Sequence, residues 1–523
     1  MRSRVVYEFV HGSSHTAESS GPGFVDAALD SAPEVPRSSG RRVLPPIACE
    51  HRMTVAPILL SILALPGFQG APPPERAEVV RRLVTDALAR GEAYSKLQDL
   101  CREAPHRLAG SPGNANAVAW ALRRMEADGL VHVRAEPCAV PHWERGRIAR
   151  LEVVGAEPNT APALPILALG GSVATKKGGL RARVVRVQSF DELHALGAAA
   201  RGKLVFFDRP MDPAELDPFH AYGKAVDQRS QGAIEAARVG GIGAIVRSMT
   251  LRLDDLPHTG AMRYEDGVEK VPAAAVSTAG AARLAALLRE KPEVELEFEL
   301  DCATLPDGEG ANVIGEIVGR ERPDEFVVVG GHLDAWDVGQ GAHDDGAGCV
   351  EAMEALRLVR ASGFVPRRTL RCVLWTNEEN GLRGGRAYAK EHAAELDRHV
   401  LALESDRGGF APRGFETNAT GTAFEELARI VALLEPYGAG RLVAGGGGAD
   451  TSPIEAAGKN VAEFLPDGSR YFDVHHCARD TIEAVHPREL EHAAGVIAAF
   501  AWCVADLEAP LAPPKPAADG AKR

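Results

Sequence analysis

Three continuous apolar runs constrain this 523-residue chain more than any other feature. Phe326-Val-Val-Val-Gly-Gly-His332, Thr369-Leu-Arg-Cys-Val-Leu-Trp375 and His399-Val-Leu-Ala-Leu-Glu404 have strand length and almost no polar alternation. A strand with one wet face alternates, whereas a strand covered on both faces does not. Helical stretches follow each run, at 348–361, 384–396 and 424–434. Such alternation implies an α/β fold, with a mostly parallel central sheet and helices on both faces. In such sheets, sites gather at the carboxyl ends of the strands.

Those ends carry the chemistry. Gly331-His-Leu-Asp334 closes the first run, and His343-Asp-Asp-Gly-Ala-Gly348 opens the helix after it. Asn377-Glu-Glu-Asn380 closes the second run and Glu404-Ser-Asp406 the third. A late segment, Tyr471-Phe-Asp-Val-His-His-Cys-Ala-Arg-Asp-Thr481, adds imidazoles. So many acids in one cleft repel one another unless cations lie between them. Zinc suits mixed imidazole and carboxylate ligands. Two Zn²⁺ ions would bring four positive charges; Asp344, Glu379 and Asp406 supply three negative ones and a hydroxide the fourth. Taken singly, each cluster has a plainer reading. Asp344 could cap a helix, His332 could be a core histidine, Glu378 and Glu379 a solvated strand end, and His475 and His476 loop residues. Their co-occurrence at successive strand ends favours a metal centre.

The rest of the chain supplies context. Val79, Val80, Leu83, Ala87 and Leu88 form one stripe of a predicted helix over 75–93. A second helix follows the turn Ala109-Gly-Ser-Pro-Gly113, with Gly129 as its C-cap. In the middle third, short strands at 204–207, 243–246, 273–276 and 294–300 alternate with Gly-rich turns and with helices at 231–239 and 279–289. This predicts a module over 158–303, inserted between catalytic segments 72–157 and 304–510, with a disordered tail at 511–523. Residues 1–52, rich in Ser, Gly, Pro and Arg, read as a disordered leader or as an extension ahead of a true start at Met53. Residues 53–71 have the length of a signal-peptide apolar region and are short for a membrane span; a buried helix is the alternative. No later segment reads as a transmembrane helix. The expectation is an exported protein, secreted or periplasmic, with no stable membrane insertion once the signal is removed. A net charge of −13 and the lack of a basic block exclude a nucleic-acid surface. The eight cysteines form no CxxC pair, so they read as scattered core thiols with room for one bridge, and not as a zinc ribbon.

The series His332-x-Asp334, Asp344-Asp-Gly, Glu378-Glu379, Glu404-Ser-Asp406 and His476-x-x-x-Asp480-Thr481 resembles the motifs of the M28 family of co-catalytic zinc peptidases. Gly331-His-Leu-Asp-Ala-Trp-Asp-Val-Gly-Gln-Gly341, Gln231-Gly-Ala-Ile-Glu-Ala-Ala237, Pro257-His-Thr-Gly260 and Gly448-Ala-Asp-Thr-Ser-Pro453 extend the resemblance over residues 75–510. The insert resembles a protease-associated domain. The resemblance implies a zinc aminopeptidase/phosphorylase-like fold holding two Zn²⁺ per chain. It places His332 and Asp406 on one ion, Glu379 and His476 on the other, and Asp344 between them. It makes Glu378 the general base, and Asp334 the acceptor of a hydrogen bond that fixes the His332 tautomer. Glu378 would take a proton from the attacking water and hand it to the leaving amine. Tyr471 or His475 would donate to the oxyanion. Cys477 stands where the family has Ser or Thr. The Gly445-Gly-Gly-Gly448 run would lie near the specificity pocket. The implied substrate is a short peptide, with dipeptides bearing free termini favoured, and the implied assembly is a homodimer. The family includes aminopeptidases, carboxypeptidases and dipeptidases, so the recognised end stays open. Two alternatives, a single-zinc acyltransferase similar to glutaminyl cyclase and a catalytically inactive receptor-like relative, both call for a depleted ligand set.

Overall fold

A computed structural model describes residues 75–156 and 161–514. The expected leader (1–52) and signal segment (53–71), Cys49, and residues 515–523 of the expected tail lie outside the described residues.

The apolar runs lie in the middle of an eight-stranded sheet. Across it the strands are Val131–Glu144, Ala303–Ile317, Arg368–Trp375, Arg322–His332, His399–Glu404, Val461–Pro466, Pro412–Thr417 and Arg441–Ala444. The four central strands, from Arg368–Trp375 to Val461–Pro466, are mutually parallel. Antiparallel pairings flank them on both sides. Successive side chains of a strand point to opposite faces, and here both faces are covered. Val327, Val329, Leu370, Cys372, Leu374, Leu401 and Leu403 join a core with helices Arg76–Arg90, Ala93–Glu103, Pro112–Ala127, Ala347–Ser362 and Pro487–Ala505. Val328, Val373, Trp375 and Ala402 point the other way, onto Tyr388 of helix Arg383–Glu391 and Ile454 of helix Ser452–Ala456. Helix Pro487–Ala505 is apolar almost all round because the core surrounds it. No helix among the described residues is long and apolar enough to cross a membrane.

A second, seven-stranded sheet runs in the order Ala149–Val153, Glu295–Leu300, Leu180–Val187, Leu204–Phe207, Gly243–Arg247, Ala273–Val276 and Ile166–Ala168. It too is buried on both faces: Phe206, Ile245 and Phe298 serve one cluster, and Val205, Phe207 and Val246 the other. The first of these strands begins at Ala149, ahead of the boundary expected at 158. Two long strands carry the chain between the sheets. Val131–Glu144 leads into the second sheet, Ala303–Ile317 leads back, and the two pair antiparallel along most of their length. The seven described cysteines are free thiols, six of them buried, so none forms a bridge with another.

One buried cation shapes the loop between the first strand and its helix. Arg107 is fully buried. It donates from Nε to Leu333 O (2.7 Å), from Nη1 to Gln340 O (2.6 Å) and from Nη2 to Gly341 O (2.7 Å). Gly341 adopts φ +61, and an added Cβ there would strike Ala335 and the guanidinium. The loop is therefore wrapped around Arg107. Arg107→Met leaves three carbonyls without their donor, so stability should fall by about 3 kcal/mol or more, read as a shift of the chemical denaturation midpoint.

Candidate active site

Parallel register brings the strand ends together. His332 pairs with Trp375 and Gly330 with Glu404, so the segments after these residues leave the sheet along one edge. Asp344 lies in the turn just before helix Ala347–Ser362, and His476 follows the short helix Gly468–Asp473. The expected ligand residues meet there. His332 Nε2 is 3.4 Å from Asp344 Oδ1 and 3.3 Å from Asp406 Oδ1. His476 Nε2 is 3.1 Å from Asp344 Oδ2 and 3.1 Å from Glu379 Oε2. Asp344 thus turns one oxygen to each imidazole. Glu378 Oε2 lies 4.0 Å from His332 Nε2, on the open side of the cluster.

The electrostatics are those of excess negative charge. Burial pushes the His332 imidazole down, but Asp406 and Asp344 override it and hold it well above its ordinary value. Burial likewise opposes a charge on His476, yet Glu379 and Asp344 raise it to about 9. Asp344, despite its burial, is held well below the carboxylate range by His332 and His476. Glu379 is pushed up to about 7, first by burial and then by Asp344. Burial raises Glu378 well above the carboxylate range, and Asp406 and Glu379 add to it. His332 Nε2, Asp344 Oδ2, Glu379 Oε1 and Asp406 Oδ1 are buried without a hydrogen-bond partner. Buried polar atoms are nearly always satisfied, so four orphans within one cluster fit a divalent cation site of mixed imidazole and carboxylate donors. Ligand atoms of His332, Asp344 and Glu379 lie within 4.8 Å of one another, as do those of Asp344, His475 and His476, and of His332, Asp345 and Asp406.

Neighbouring acids hold this geometry, and two of them depart from expectation. The His332 Nδ1–H bonds to the backbone carbonyl of Asp334 (3.0 Å), while the Asp334 carboxylate stands 3.8 Å away. That carboxylate accepts from Glu378 N instead (3.0 Å). The Asp334 backbone carbonyl thus orients the imidazole, with Nε2 toward the cluster, while its carboxylate positions the Glu378–Glu379 turn. The capping reading of Asp344 belongs to Asp345, across a cis peptide from it. Asp345 accepts from Gly348 N (2.9 Å) and His332 N (2.9 Å), which leaves Asp344 free. Asp480 accepts from His343 N (2.7 Å) and Asp344 N (3.1 Å) and so holds the Asp344 backbone. Glu404 caps the 450–451 turn, accepting from Asp450 N and Thr451 N. An added Cβ at Gly448 would lie 2.3 Å from its carboxyl carbon, so the glycine there serves approach to Glu404.

The cluster opens into a cleft of 620 Å³. Tyr471 and His475 line it, as expected. His475 Nε2 is 3.8 Å from Asp344 Oδ2, farther than His476, on which it stacks with centroids 3.5 Å apart. Cys477 points away: its thiol meets Val474 O at 3.2 Å and burial pushes it up to about 12. The second sheet's layer also reaches the cleft through Tyr222, Arg229 and Arg263, none of which sequence reasoning singled out. Its loop grips the histidine pair. Thr259 N donates to His476 O (2.9 Å), and His258, kept neutral by burial with a pKa of about 4, bonds through Nδ1 to His475 O (2.7 Å).

Fold and cluster together define a metal-dependent hydrolase class, and comparison with known proteins makes it specific. Residues 312–501 match the Peptidase family M28, and the chain belongs to that family of metallopeptidases. It is 35% identical to carboxypeptidase Q of Homo sapiens over 432 residues, covering 83% of this chain and 89% of the human protein. Among solved structures it resembles a Peptidase M28 precursor from Shewanella amazonensis SB2B, with 37% identity, a TM-score of 0.80, and coverage of 84% of this chain and 99% of that one. A zinc aminopeptidase from Bacillus subtilis shares the fold at 19% identity and a TM-score of 0.58, over 80% of this chain and 98% of its own.

The grip of Asp480 on the Asp344 backbone generates a prediction. Asp480→Ala should weaken zinc binding about 10–100-fold, measured by competition against a chromophoric chelator.

Proposed function

We propose that this chain is a co-catalytic two-zinc exopeptidase that hydrolyses dipeptides or short peptides. The observation that carries the reading is the split orientation of Asp344, one oxygen toward His332 and Asp406 and the other toward His476 and Glu379. On this reading His332 and Asp406 would hold one ion, Glu379 and His476 the other, and Asp344 would serve both. Two ions of this kind supply Lewis acidity and a water of lowered pKa. Glu378 stands at the open side of the cluster, its backbone tied to Asp334, with its carboxyl free to take a proton from water and return it to the leaving amine. Tyr471 and His475, both lining the cleft, are read as donors to a developing oxyanion. The single-zinc acyltransferase and receptor-like alternatives each need a depleted ligand set, whereas both sets converge here.

The layer built on the second sheet is read as an inserted domain of the protease-associated kind that walls the cleft. Likeness to carboxypeptidase Q favours substrates with a free carboxyl end. Residues 53–71 are read as an export signal, the mature protein as secreted or periplasmic, and the assembly as a homodimer. Glu378→Gln should lower dipeptide turnover about 10²–10⁴-fold while zinc content, measured by plasma mass spectrometry, stays that of the parent. Near-normal turnover in that variant would remove Glu378 as the base.

A further inference from the structure

Arg229 stands out among the buried arginines. Arg107 is satisfied by three carbonyls, and Arg368 and Arg371 each pair with a carboxylate, Glu325 and Glu316. Arg229, on the short helix Asp227–Ser230, is 9% exposed and has no ion-pair partner among the described residues. Its Nε has no hydrogen-bond partner at all. Its guanidinium lies 5.5 Å from the Tyr222 ring centroid and contacts His476 Nδ1 only at 3.5 Å. It lines the same cleft as Glu378 and Asp344. Gly260, at φ +131, lets the loop close down beside it, since an added Cβ would fall 2.3 Å from Nη1. Burying a guanidinium with neither an anion nor a full set of acceptors is strongly unfavourable. A fold that keeps one at the mouth of an acid cluster needs an external partner, and the planar fork of arginine matches a carboxylate.

The geometry points to Arg229 as the receptor of a substrate carboxylate, on the leaving-group side of the scissile bond. This inference rests on the peptidase reading above and adds the residue that receives the free carboxyl end. Distance supplies the argument. The guanidinium stands one imidazole ring behind the cluster: His476 Nδ1 faces Arg229, and His476 Nε2 faces Asp344 and Glu379. One peptide residue spans roughly 3.3–3.6 Å. With the scissile carbonyl at the cluster, the carboxylate one residue further on reaches Arg229, and a longer carboxyl-side extension overshoots it. The carboxylate is taken as that of the chain terminus, which every dipeptide carries; an acidic side chain on the same residue is the outcome that Ala-Glu tests.

The test uses full-length, zinc-loaded enzyme with Ala-Leu, Ala-Leu amide and Ala-Gln against Ala-Glu. The parent should prefer Ala-Leu over its amide by about 30-fold or more in kcat/KM. Arg229→Met should abolish that preference by raising KM for free-carboxylate dipeptides, with kcat and amide hydrolysis little changed. Arg229→Lys should restore part of it. Calorimetric binding of leucine, but not leucinamide, should likewise be lost in Arg229→Met, a readout that holds whether or not the parent turns over. Because Arg229 lacks an anionic partner, the thermal midpoint of Arg229→Met should stay at or above that of the parent. An equal fall in kcat on acid and amide substrates would show that Arg229 serves His476 and would overturn the inference. So would an effect confined to Ala-Glu. A parent without chelator-sensitive hydrolysis of any dipeptide would overturn the peptidase reading instead, leaving the leucine binding result to decide on Arg229.

Discussion

Asp344 presents one carboxylate oxygen to His332 and the other to His476, and much of the molecule is arranged around that carboxylate. Water is largely excluded there, so charge must be balanced locally. Glu379 and Asp406 add negative charge on either side, and the imidazole pKa values climb in response. Four buried ligand atoms of the cluster lack hydrogen bonds. Divalent cations satisfy both demands at once, which is why a cluster so unfavourable by itself can be an operating part of a metallopeptidase.

Holding the cluster takes two layers of protein. The central sheet supplies His332, the Glu378–Glu379 turn and Asp406 from adjacent strand ends, with Asp334, Asp345 and Asp480 each binding backbone amides next to a cluster residue. The histidine pair arrives on a loop that the sheet does not control. The 258–260 segment of the second layer holds it through the carbonyls of His475 and His476. The second layer therefore completes the site as well as walling it.

Much of this was legible in the residues. Strands Leu204–Phe207, Ala273–Val276 and His399–Glu404 coincide with their apolar runs, because burial on both faces leaves an unbroken signal. The long strands Val131–Glu144 and Ala303–Ile317 were not legible. Much of their length is exposed or half-exposed, and their order comes from pairing with each other, which no local pattern announces. Asp344 stood out by its neighbours, but whether it or Asp345 capped the helix depended on backbone geometry. Arg229 was invisible because a lone arginine on a four-residue helix has no motif; only its burial and its missing partner mark it.

The most direct measurement is anomalous diffraction at the zinc absorption edge from crystals of the zinc-loaded protein. The account predicts two peaks flanking the Asp344 carboxylate, one beside His332 and Asp406, the other beside Glu379 and His476. A single peak, or one held by His475 in place of His476, would contradict it.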